Sequence, residues 1–199
     1  MCKLCETNPV YEFTNKRKLC KTCFIHYFKK KIFYTIRKFK MVQSGGVVGY
    51  FKSNHFRDIV LKEMLKMISY GGDIKIKEFA KLKKNTSKEM RTLGITHIAL
   101  SPSIDLHADE IVDNLIQGDA KNLAIFMPVK KVKGIKVIAP LSLFLDAEIL
   151  LYAKLKGLKF KEIKIKKDKI EIFLDEFEKK HPEVKRAVVN SLLEMYKKN

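Results

Sequence analysis

Four cysteines, Cys2, Cys5, Cys20 and Cys23, are all the thiols in this 199-residue chain, and they form two C-x₂-C pairs with fourteen residues between them. Each pair is a short knuckle, and two knuckles at this spacing bring four thiolates onto one tetrahedral ion. A closed four-thiolate site leaves no coordination position for substrate, so the expected Zn²⁺ contributes folding free energy and does no chemistry. Disulfides and redox thiols rank behind zinc, because a C-x₂-C pair is too tight for an easy internal bridge and the rest of the chain has no cysteine. His26, three residues beyond Cys23, reads as an ordinary helix residue rather than a substitute ligand.

The element that must hold this centre follows it directly. Over residues 24–40, Phe24, Phe28, Ile32, Ile36 and Phe39 recur at helical spacing, with cations on the remaining arc. The zinc module is therefore expected to hand the chain to a basic helix, with Lys29, Lys30, Lys31, Arg37, Lys38 and Lys40 reaching phosphates. Tyr34, with Phe33, lies on the same arc and can stack on an unpaired base; a core or interface role fits these two rings equally well.

Charge over the whole chain supports a polyanionic partner. There are 41 Lys and Arg against 22 Asp and Glu, a formal net charge of +19. Neutralised phosphates release counterions and supply affinity for nucleic acid, with an anionic membrane surface as the competing class. No apolar run approaches the roughly 18 residues of a membrane span, and no secretory pattern opens the chain, so a cytoplasmic protein without a membrane partner is expected. Hydrophobic residues make up 46%, enough for one substantial core.

Along the chain, Val10, Tyr11 and Phe13 offer a short ribbon strand, and Gln43 to Gly46 break the helical period. Residues 47–51 read as a strand or a buried connector. Ile59, Leu61, Met64, Leu65 and Ile68 mark a second amphipathic helix closed by Gly71 and Gly72. Residues 73–79 fit neither template well, and residues 81–93 read as a lysine-rich helix ending at Gly94. A strand over 95–100, a helix from Ile104 with Asp105 in its first turn, a strand over 135–139 and a helix over 146–156 follow. Strand and helix in alternation predict parallel pairing, with ligands at the carboxyl ends of the strands. Residues 160–172 alternate apolar residues with lysines, and two helices flank His181 and Pro182. His97, His107 and His181 read as structural, since no two are spaced as a metal pair or a catalytic dyad.

The double knuckle with its following helix, Ser44-Gly45-Gly46, the run at 105–119, Ile138-Ala139-Pro140-Leu141, Leu-Leu-Tyr-Ala-Lys-Leu-Lys-Gly-Leu at 150–158 and His181-Pro182-Glu183-Val184-Lys185 together resemble a known family. They look like the tRNA 2-thiolation enzymes of the TtuA/TtcA type, in the PP-loop or adenine nucleotide alpha hydrolase-like superfamily. The resemblance implies an α/β fold in which an N-terminal zinc ribbon precedes a PP-loop-like (HUP-type) parallel sheet flanked by helices. It also implies tRNA as the polyanion and an ATP–Mg²⁺ site at Ser44, Gly45, Gly46 and Asp105.

Departures from the family pattern shape the functional expectation. Val48 and Gly49 stand where the family's Ser-Gly-Gly-x-Asp-Ser loop has its Asp and second Ser. Ser101-Pro102-Ser103-Ile104-Asp105-Leu106-His107-Ala108 replaces Gly-His-Asn-x-Asp-Asp-Glu-Ala, and only Asp105 and Ala108 match. The stretch from 44 to 101 is short for a full core, and a charged segment at 161–169 stands where the TtuA branch has its second zinc finger. The core cysteines that serve sulfur transfer in the family, often around an iron–sulfur cluster, are lacking, so no such cluster is expected.

The expected divisions are a zinc module at 1–25, a basic connecting helix at 26–43, a reduced PP-loop-like domain at 44–160 and a helical tail at 161–199. The expected function is tRNA binding without catalysis, as an accessory subunit in tRNA thiolation beside a full-length thiolation enzyme or a sulfur-carrier protein, with a homodimer implied by the family. An ATP-dependent sulfur-transfer enzyme and a structural partner of a full-length paralogue are the alternatives.

Overall fold

The structure, a computed structural model, describes residues 1–80, 90, 92–161 and 167–196. Its N-terminal knuckles are joined by an antiparallel ribbon of β1 (Tyr11–Glu12) and β2 (Lys18–Leu19). Helix α1 (Lys21–Lys38) begins between the last two cysteines, with Cys20 extended at its N-cap. Periodicity marks this helix only from Phe24, because its first turn is built by the knuckle rather than by an apolar stripe. The buried row is Phe24, Phe28, Ile32 and Ile36, while Arg37 and Lys38 in the last turn complement the negative end of the helix dipole.

Beyond a turn at residues 40–46 the chain builds β3 (Val47–Phe51), α2 (Phe56–Tyr70), β4 (Lys75–Phe79), β5 (His97–Ala99) and α3 (Ile104–Ile116). A 3₁₀ turn (Ala120–Phe126), a hairpin of β6 (Val129–Val132) and β7 (Ile135–Ile138), and helices α4 (Asp146–Leu155), α5 (Lys169–Lys180) and α6 (Val184–Met195) complete it. The sheet order is β4-β3-β5-β7-β6, with every pair parallel except β6 with β7. This is the expected α/β architecture of a sheet flanked by helices, except that the antiparallel edge strand β6 makes the expected parallel sheet a mixed one. Among the described residues no helix is long and apolar enough to cross a membrane.

Two strands were not legible beforehand. β4 alternates lysine with apolar residues along a sheet edge, and β6 is a lysine-bearing edge strand joined to β7 by only Lys133 and Gly134. The lysine-rich helix expected over 81–93 falls mostly outside the described residues, as do residues 162–166 of the expected alternation; from Lys169 onward that stretch is helical.

The main core lies on one face of the sheet. Val48, Tyr50, Ala99 and Ile138 meet α1, α2 and α4 there, in a cluster running without interruption from Cys2 to Ala153. Phe28 of α1 stacks on Tyr152 of α4 at 4.3 Å and 19°, and its ring lies 4.5 Å from that of Phe144. One continuous core thus joins the cysteine module, α1 and the sheet. On the other face Gly49 is held small, since a Cβ there would sit 2.7 Å from the Phe79 ring and 2.9 Å from Ile98. A separate cluster joins α3, the 3₁₀ turn, α5 and α6.

Candidate metal centre, basic face and carboxyl-edge crevice

The four cysteine sulfurs converge, all lying within 4.8 Å of one another. Cys5 Sγ is 3.4 Å from Cys20 Sγ and 3.6 Å from Cys23 Sγ. A tetrahedral ion with metal–sulfur bonds of about 2.3 Å places its sulfurs about 3.8 Å apart, so the donor set fits a single ion. Backbone bonds fix the knuckles: Cys2 N donates to Thr7 O at 2.8 Å, Glu6 N to Cys2 O at 3.0 Å and Phe24 N to Cys20 O at 2.8 Å. His26 is exposed on α1 and is not part of the cluster.

Of the residues expected to reach RNA, Lys30, Tyr34, Arg37 and Lys38 on α1 and Lys40 just past its end are exposed, and Lys29 is half-buried. Lys38 Nζ sits 5.8 Å from the Tyr34 ring centroid, so cation and aromatic share one patch. Lys31 departs from the expectation. Its ammonium turns inward to 3.5 Å from the fully buried Glu148 and 4.3 Å from the Phe144 centroid, and desolvation pulls its pKa down to about 8. A cation so placed holds helices together and does not face a polyanion.

The four residues expected to bind nucleotide are not brought together. Ser44, Gly45 and Gly46 precede β3, whereas Asp105 follows β5, a parallel neighbour of β3, so they lie at opposite ends of the strands. The turn's amides are also engaged: Gly45 N donates to Asp73 O at 2.7 Å and Gly46 N to Gln43 O at 3.1 Å. A phosphate nest needs those N–H groups free, and a PP-loop follows its strand. The Ser-Gly-Gly is therefore a turn, and the position that follows β3 is held by Lys52, Ser53, Asn54 and His55, without glycine. His55 caps α2 there, its ring accepting from Arg57 N.

Asp105 is held by structure. Its Oδ1 accepts from Lys185 Nζ at 3.0 Å and its Oδ2 from Asp146 N at 2.7 Å, while Lys185 also donates to Asp175 at 2.6 Å. Burial works against the Lys185 ammonium, but the two aspartates outweigh it and its pKa rises. Nearby Asp109 has no hydrogen-bond partner at Oδ1, and desolvation pushes it up to about 7.

A cavity of about 410 Å³ opens at the carboxyl edge, lined by Arg57, Ser101, His107, Glu110, Phe126 and Lys130 among others. It lies near the switch point, where β3 sends its connection to β4 on one side and β5 pairs on the other. His107 is buried with its Nδ1 unpartnered, and desolvation pushes its pKa down to about 4. No local sequence pattern marks this site, because its residues come from separate stretches of the chain.

No protein-family model matches the chain, and no curated protein matches it. Among solved structures, the U34-tRNA thiolase NcsA from Methanococcus maripaludis with its [4Fe-4S] cluster superposes with a TM-score of 0.76 at 19% identity, covering 98% of this chain and 86% of that one. The fold is shared with a tRNA thiolase. The expected α/β architecture with an N-terminal cysteine centre is thereby found in full, while the identity is too low to carry residue roles across.

His97 and His181 each meet a neighbour within the fold. His97 Nδ1 lies 2.7 Å from Thr96 Oγ1 within the sheet, and His181 caps α5 with its ring 4.7 Å from that of Phe177. Sequence reasoning missed Glu148. It is fully buried, with Oε2 3.0 Å from Arg186 Nη2 and 3.5 Å from Lys31 Nζ, and it tethers α1 to α4 and α6.

Proposed function

We propose that this chain is a zinc-containing tRNA-binding protein that acts as an accessory subunit in tRNA thiolation and leaves the chemistry to a partner enzyme. The observation that carries the reading is the junction of cysteine centre and basic helix. α1 starts at the metal ligands and presents Lys30, Tyr34, Arg37 and Lys38, with Lys40 just beyond its end, from a stretch with no acidic residue between Glu12 and Asp58. The solved neighbour acts on tRNA, which selects tRNA among polyanions. Zinc is favoured over an iron–sulfur cluster because sulfurs this close suit one ion, whereas a cubane spreads its thiolates over separate irons. With Cys2, Cys5, Cys20 and Cys23 committed to metal, these 199 residues offer no further thiolate for sulfur transfer.

A second reading is an ATP-dependent sulfur-transfer enzyme, since the solved neighbour is a thiolase and the carboxyl-edge cavity places Arg57 and Lys130 at the switch point. Calorimetric titration of the zinc-loaded chain with bulk tRNA and then with magnesium ATP separates the two. tRNA binding without ATP binding is expected; saturable ATP binding that is lost in Arg57→Ala favours the enzyme.

A further inference from the structure

The β6–β7 hairpin carries Lys130, Lys131, Lys133 and Lys136, and no acidic residue occurs anywhere from 120 to 145. Three of these lysines are placed at a cost to stability. Lys131 stands directly opposite Lys136 in the antiparallel register, so two like charges face each other across the strands. Lys133 occupies the left-handed region, with φ of 49°, in a two-residue turn completed by Gly134 at 84°. Turns of this hand favour glycine, which has no Cβ to crowd the following carbonyl oxygen, or asparagine, whose side chain hydrogen-bonds locally. Among the described residues no carboxylate pairs with Lys131, Lys133 or Lys136.

The hairpin is joined to the basic helix in space. Lys136 Nζ donates to the carbonyl of Lys40, just past the end of α1, within a turn of Arg37 and Lys38. Register puts Lys131, Lys136 and His97 on one face of three adjacent strands, the face that α1 covers. Between the hairpin and residue 43 runs an open groove of about 520 Å³, lined by Gln43, Thr96, His97, Lys131 and Lys136 among others. His97 Nδ1 is held by Thr96, and burial together with the Lys136 charge lowers its pKa, so the cations of the groove are lysines.

We propose that this groove is a second contact for the RNA phosphodiester backbone, continuous with the basic face of α1, so that one strand of phosphates runs from the end of α1 onto the hairpin. The inference rests on the RNA-binding reading above. Bound phosphates relieve the repulsion between Lys131 and Lys136, which the free protein bears unpaired. The competing account is protection of an open sheet edge, for which charged side chains of either sign serve. Reversal of charge separates the two: glutamate keeps an edge guarded but repels phosphate.

The test compares bulk tRNA binding by the zinc-loaded full chain, by Lys131→Glu with Lys133→Glu, and by Lys179→Glu with Lys180→Glu, which changes the net charge equally on exposed positions of α5. Expected is a tenfold or greater loss of affinity in the hairpin variant, and a slope of log affinity against log salt shallower by about one to two, as lost phosphate contacts require. The α5 variant should stay within about threefold of the unaltered chain. The hairpin variant should also stay soluble and melt no lower, because Lys131→Glu sets a carboxylate opposite the Lys136 ammonium in place of a like charge. Equal losses in both variants, or none in the hairpin variant while Lys30→Glu with Arg37→Glu and Lys38→Glu abolishes binding, overturns the groove and leaves the α1 face. Absence of tRNA binding by the unaltered chain overturns both.

Discussion

Lys31 Nζ lies 3.5 Å from Glu148 Oε2, and the carboxylate it meets is fully buried between α1, α4 and α6. The same oxygen accepts from Leu145 N at 2.9 Å and lies 3.0 Å from Arg186 Nη2. One carboxylate thus caps α4 and binds a cation from each of two other helices, which makes the orientation of α1, and of the cysteine centre at its start, a property of the whole fold.

Replacing Glu148 by Ala leaves the largely buried Lys31 without its carboxylate, takes from Arg186 one of two carboxylates while Glu183 stays at 3.0 Å, and removes the cap. The expected loss is about 3–5 kcal/mol of unfolding free energy, with a smaller loss for Glu148→Gln, which keeps an oxygen for Leu145 N. Denaturant unfolding of the zinc-loaded chain measures both.

Lys31 has its pKa lowered in the folded chain to about 8, chiefly by desolvation. An unfolded lysine titrates near 10.4, so between about pH 8 and 10 the unfolded state holds more protons and stability rises with pH. Lys31→Met should remove that rising limb, whose slope is at most about 1.4 kcal/mol per pH unit. It should leave tRNA affinity unchanged, because this ammonium faces Glu148. A tenfold drop in affinity would return Lys31 to the RNA face.

Cys20→Ser with Cys23→Ser should release one equivalent of zinc and lower the melting temperature, since the first turn of α1 and the burial of Phe24 depend on the knuckle. Elemental analysis and thermal melting read the result. Iron with acid-labile sulfide in the purified protein would replace zinc by a cluster.

Lys133→Asn places a residue tolerant of the left-handed region at the hairpin tip. It should stabilise the chain by about 1 kcal/mol in denaturant unfolding while weakening tRNA binding.

The cysteine centre and the inward stripe of α1 were legible because both rest on spacing alone: two C-x₂-C pairs, and Phe24, Phe28, Ile32 and Ile36 at a helical period. β4 and the β6–β7 hairpin were not, because lysine-bearing edge strands lack a clean apolar alternation and Lys-Gly is a weak turn signal. Ser44 to Gly46 showed the limit of a short motif. The three residues form a tight turn as they suggest, but only the topology shows that the turn precedes β3 and uses its amides on Asp73 and Gln43. The exposed Lys30 and the inward Lys31 are neighbours in sequence, and what separates them is Glu148, more than a hundred residues away.

The most direct test of the account is the affinity of bulk tRNA for the zinc-loaded chain at a series of salt concentrations. The account predicts a linear fall of log affinity with log salt, with a slope set by several phosphate contacts and reduced when Lys30, Arg37 and Lys38 are each changed to Glu. No binding at low salt, or an affinity that salt does not change, would contradict it.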